Sequence, residues 1–186
     1  MEADWSVEIG ADLPLIAVPW ESFVDLRRDL AAARRLRETA VAPVLAESLI
    51  ELNQESSPVF TSKCDFWLLT TDEIDPLEFD AAREDACQGV ACYIDIIPRS
   101  MALFASFAAQ EVWVRSAVDE MRTMHVQQAR AELVIRSSAV DEREGYALTL
   151  YVASCGRSED SACEIFHGAL KAAAAITMKQ AAIAGE

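Results

Sequence analysis

The sequence predicts an α+β fold, a two-layer sandwich with helices packed on one face of a mixed, mainly antiparallel β-sheet. Three observations predict it. Apolar residues recur at spacings of three and four over several long stretches, as in Val41, Val44, Leu45, Leu49 and Leu52. Short runs rich in β-branched and aromatic residues lie between those stretches. Two of the runs, 131–137 and 146–154, are joined by the charged segment Asp141, Glu142, Arg143, Glu144 and Gly145, which is a hairpin signal and imposes antiparallel pairing.

Taken in order, residues 1–20 contain two apolar runs, Trp5 to Ile9 and Leu13 to Trp20, separated by Gly10, Ala11 and Asp12. That spacing predicts an edge hairpin, the edge being set by Pro14 and Pro19, which cannot donate to a ladder. From Leu26 the pattern is helical, and Pro43 divides it into two helices. Ser56, Ser57 and Pro58 end the second, and Val59 to Leu69 reads as a strand. A short acidic helix follows, in which Asp75 caps, Pro76 takes the first helical position and Glu78 sits where a capping-box acid belongs. Val90 to Ile97 reads as the next strand. Ser100 then caps one long amphipathic helix carrying Phe104, Phe107, Val114, Val118 and Met121. After the hairpin, Ser158 begins the last helix, whose core face is Ala162, Phe166, Ala169, Ala173 and Ile176, and residues 181–186 read as a frayed tail.

At 186 residues the chain suits one domain spanning 1–186, with no internal repeat or low-complexity linker. The apolar share of 52% against 25% charged residues is that of a chain able to bury a core. Net charge is −15, from 31 acidic and 16 basic residues, which repels a phosphate backbone and predicts no nucleic-acid partner. The basic cluster Arg27, Arg28, Arg34, Arg35 and Arg37 contains no aromatic residue and reads as a solvated helix face. The first ten residues carry acids where a secretory signal carries basic residues, so export by that route is not expected. The longest low-charge stretch, Met101 to Gln110, falls far short of the roughly 20 residues of a membrane span, so no membrane association is expected. Five scattered cysteines, an odd number, fit free thiols in a reducing compartment, and the cytoplasm is the expected location.

Chemistry has four places to sit. In the strand 90–97, Asp95 lies amid apolar neighbours, where a carboxylate either faces solvent or is buried with a partner and a raised pKa, the condition of a general acid or base. Asp65 and Glu132, on neighbouring strands with matching faces, would complete a carboxylate cluster able to hold a divalent cation. Cys163 and His167 are one helical turn apart and Cys155 ends the preceding strand, a spacing that suits a zinc site with a fourth ligand from elsewhere, although no CxxC pair accompanies it. In Lys63, Cys64 and Asp65 the lysine stands beside a thiol, but strand alternation puts Lys63 and Asp65 on one side and Cys64 on the other, which favours a Lys63–Asp65 pair together with a buried cysteine and not an activated thiol. Cys87 and Cys92 are close enough in sequence for a disulfide across Gly89, without a redox motif.

No GxGxxG, P-loop, GxSxG or calcium-loop pattern occurs, and the sequence names no cofactor. The leading expectation is therefore a non-enzymatic module binding a protein or peptide partner, with unpaired sheet edges to accept a strand. The order of helices and strands loosely resembles that of the small acidic dimeric chaperones of bacterial secretion systems, a likeness of element order that no motif carries. The alternative is a carboxylate-based, divalent-metal-dependent enzyme centred on Asp95. Under either expectation, the apolar fraction and the small residues of the Ala-rich C-terminal helix predict a homo-oligomer.

Overall fold

Alternation and flanking prolines place two long strands where the sequence expects them, β3 at Val59–Leu69 after Pro58 and β4 ending at Pro98 (Gln88–Pro98). In the computed structural model, which describes residues 1–13 and 15–185, these join β1 (Glu2–Glu8), β2 (Ile16–Val18), β5 (Ala129–Val140) and β6 (Arg143–Gly156) in one six-stranded sheet. The strand order is β1-β5-β6-β4-β3, with β2 continuing along β5 beyond β1. Pairings among β3, β4, β6 and β5 are antiparallel, and β1 and β2 run parallel to β5, so the sheet is mixed and mainly antiparallel.

The helices are α1 (Arg37–Val41), α2 (Pro43–Asn53), α3 (Met101–Ala105), α4 (Phe107–Arg122) and α5 (Glu159–Ala184). The apolar stripes of α2, α4 and α5 pack on the inward residues of the sheet, among them Cys92, Ile94, Ile96, Leu133, Leu148 and Leu150, all essentially inaccessible. Fully buried Trp113 of α4 donates its indole N–H to Thr177 O of α5 at 2.9 Å, which satisfies the one polar atom its burial would strand. Ser100 and Ser158 cap as their positions predict, accepting from Leu103 N and Ser161 N.

Six departures from these expectations have physical causes. Residues 1–20 do not form a hairpin: β1 pairs with Arg130–Arg136 and β2 with Ser138–Val140, because twelve-residue β5 offers an edge long enough for both. The long helix after Ser100 is two helices, since Ser106 turns extended and caps α4 by accepting from Ala109 N. The acidic segment forms three short 3-10 turns; Asp75 caps one, yet Glu78 pairs with Arg130 while the capping box belongs to Thr70 and Glu73. The charged hairpin loop shrinks to Asp141 and Glu142, both at positive φ (47° and 67°), the pair of left-handed residues that matches strand twist in a two-residue turn. Finally, α5 continues through the expected tail to Ala184 because Ala181 is 2% exposed against the core. Val41, in turn, is exposed, because the break at Pro43 leaves it outside the buried face of α2.

The helix-free face is not flat. β2 and β3 stand at opposite ends of the strand order, yet Ser62 Oγ of β3 donates to Ala17 O of β2 at 3.0 Å. The sheet therefore curls about this face, free of the long helices α2, α4 and α5, and encloses Ile16, Val18, Phe60, Ile97 and Ala147 at an end that Phe104 of short α3 also covers. At its other end the 3-10 segment lays Ile74, Phe79 and Ala86 over Ala91, Ala153 and Cys155.

Candidate functional site

Between those two covers, the helix-free face holds the charged residues the curl has taken out of water. Asp95 of β4 is 7% exposed and faces Thr149 of β6 across one rung, and Thr149 Oγ1 donates to Asp95 Oδ1 at 2.7 Å. Burial raises the Asp95 pKa; the Thr149 hydroxyl and the nearby positive charges of Arg136 and Lys63 work against that rise. Arg136 of β5, 6% exposed, is the second buried charge. Its Nη2 donates to Tyr151 OH at 3.3 Å. Glu8 Oε2 lies 2.8 Å from Nη1, but off the N–H axis, and neither Nη1 nor Nε has a hydrogen-bond acceptor.

Arg136 and Tyr151 open onto a cleft of about 370 Å³, within the size range of small-ligand sites. Its apolar wall includes Trp67, Leu69, Phe79 and Val134, and its acidic rim Glu8, Glu73 and Glu132. Arg130 also lines it, paired with Glu78 and stacked over the Phe79 ring at 5.7 Å. Asp95 does not line this cleft.

The three carboxylates expected to cluster share the face without converging. Asp65 is opposite Tyr93, Tyr93 opposite Tyr151, and Tyr151 opposite Glu132, so β4 and β6 separate the two acids. Three interstrand steps put their backbones roughly 14 Å apart. Glu132 instead accepts from Ser6 Oγ at 3.0 Å, and Asp65 Oδ1 accepts from the following Phe66 N at 2.8 Å. The other expected metal set is also divided. Cys155 is buried under Phe79 on the helix-free face, while Cys163 and His167 are exposed on α5 across the sheet. Among the described residues, no three His, Cys, Asp or Glu side chains form a group able to hold a metal ion.

All five cysteines are unpaired. A β-bulge between Thr61 and Cys64 resets the alternation there, and Lys63 places its ammonium 5.3 Å from the Trp20 ring centre instead of pairing with Asp65. Cys64, turned toward the helices, has its thiol pushed up to about 12 by burial and then by the charges of Glu38, Asp65 and Asp95, the opposite of an activated nucleophile. The basic cluster is largely answered by local acids: Arg27 and Arg28 pair with Asp25, and Arg35 with Asp29.

Arg136, Thr149 and Tyr151 were missed by sequence reasoning. The signal was present for the first: Arg136 follows Leu133, Val134 and Ile135, a lone charge after an apolar run, as Asp95 is among isoleucines. No helix among the described residues is long and apolar enough to cross a membrane. Comparisons with protein-family models, with curated proteins and with solved structures return no match.

Proposed function

We propose that the protein is a non-enzymatic binding module that takes a protein or peptide segment into the cleft of the helix-free sheet face. The observation that supports this is the pairing of an apolar wall, Trp67, Leu69, Phe79 and Val134, with a buried guanidinium whose Nε and Nη1 donors are unfilled. Such walls bind side chains, and such donors orient them.

The face, not the sheet edge, is the proposed surface. On each edge an aspartate caps the next residue's outward amide, Asp4 accepting from Trp5 N and Asp65 from Phe66 N, both at 2.8 Å. An incoming strand would have to displace them, which is how natural sheets discourage edge pairing. Selection from a displayed random-peptide library tests the proposal, with enriched peptides then measured against a Glu132→Trp variant whose indole fills the cleft. Binding should fall at least tenfold at an unchanged unfolding midpoint. Equal binding to the variant, or no enrichment at all, would count against the cleft.

One observation favours a second reading, an enzyme using Asp95 as acid or base: its pKa is raised by burial. Against it, Asp95 lies away from the cleft wall and its neighbours are Thr149 and Arg136, an arrangement suited to balancing the buried arginine.

A further inference from the structure

We propose that Arg136 anchors a single carboxylate carried by the ligand, with Glu8 acting as a displaceable placeholder for it. This rests on the cleft being the binding site, and adds what the cleft reads. Buried polar groups in folded proteins are nearly always hydrogen-bonded, and each exception calls for a reason. Here two donors of one guanidinium, Nε and Nη1, are buried without an acceptor, on a residue that lines the cleft. Glu8 brings its charge within 2.8 Å of Nη1 but not its lone pair into line, and its side chain is 42% exposed, free to turn into solvent.

The ligand's charge follows from its surroundings. A guanidinium suits the planar, two-oxygen geometry of a carboxylate. Phosphate would bring nearly two negative charges against Glu8, Glu73 and Glu132, on a chain of net charge −15. A carboxylate brings one charge and, when it displaces Glu8, leaves the count at Arg136 unchanged. The wall of Trp67, Leu69, Phe79 and Val134 calls for an apolar group next to that carboxylate. It is supplied by a free chain terminus or by an acidic side chain.

Three probes separate these sources in an ¹⁵N NMR titration that follows the Arg136 Nε–H signal. They are N-acetylphenylalanine, with a terminal carboxylate; N-acetylglutamylphenylalaninamide, with a side-chain one; and N-acetylphenylalaninamide, with none. At least one acid should move the Nε–H signal and bind fivefold or more tightly than the neutral amide, and the stronger acid identifies the source. A preference below fivefold for both acids, or a stationary Nε–H signal, overturns the anchor. Equal binding of all three with Trp67 and Val134 shifting would do so while leaving the cleft reading standing. Glu8→Gln, a partly exposed site whose change spares the core, gives a second arm. Acid binding should tighten roughly two- to fivefold, the scale of one partly exposed ion pair; unchanged or weaker binding overturns the placeholder.

Discussion

Replacing Arg136 with Met while keeping Asp95 leaves a carboxyl that is 7% exposed with Thr149 as its close partner. Removing one member of a buried charge pair in direct contact typically costs about 3–5 kcal/mol; Arg136 acts on Asp95 through its charge, without an ion-pair contact. Part of that cost returns here, because the Nε and Nη1 donors leave with the guanidinium; with the Glu8 carboxylate close by, their liability sits at the low end of the usual range, about 1 kcal/mol each. The net cost of Arg136→Met at pH 7 should therefore be about 2 kcal/mol, below the usual range. Adding Asp95→Asn removes the stranded charge and keeps an acceptor for Thr149 Oγ1. The double variant should lie within about 1 kcal/mol of the parent or above it, as when buried pairs are replaced whole. Urea unfolding of the parent, both single variants and the double at pH 7, with m checked for constancy, closes the cycle. Additive costs, with the double as unstable as the sum of the singles, would refute the claim that Asp95 and Arg136 balance one another.

Because burial raises the Asp95 pKa, the folded state holds that proton more tightly than the unfolded chain. The stability this contributes is complete below the unfolded value near 3.8 and is lost as pH rises through the higher folded one. Parent stability relative to Asp95→Asn should accordingly fall with rising pH across that window; a flat or rising difference in urea midpoints would contradict it. Gly145→Ala places a Cβ 2.5 Å from the Phe104 ring and carbonyl, and should cost about 1–3 kcal/mol by overpacking, read as a lower Tm. Gly168→Ala in α5, where a Cβ meets nothing within 4 Å, should instead gain about 0.5–1 kcal/mol. Asp65→Ala frees the outward Phe66 amide on β3, so sedimentation should detect more concentration-dependent association than in the parent.

Where the sequence was legible, the determinants were local. β3 begins directly after Pro58, and Ser100 and Ser158 announce helices by the same short-range bonds that they make in the fold. What was not legible depends on distant partners. Nothing within residues 1–20 records that the open edge of β5, more than a hundred residues on, will take both segments in parallel. Asp95 could be singled out from its isoleucine neighbours, but its partner could not, since Thr149 meets it only through the β4–β6 register. A cluster of Asp95 with Asp65 and Glu132 requires adjacent strands; β3 does lie beside β4, but the insertion of β6 between β4 and β5 takes Glu132 away from both. The curl that buries Arg136 on a face without helices is a property of the whole sheet, carried by contacts such as Ser62 to Ala17.

Whether ligand binds on the face of the sheet, as proposed, or on its edge is read directly by backbone hydrogen exchange. With a selected peptide bound, amides of the 3-10 segment covering the cleft, Glu73 to Phe79, should exchange more slowly, together with those of β1 around Glu8. Slowing confined to the outer amides of β3, from Cys64 to Leu68, would mean strand addition at the edge and would contradict the face-binding account.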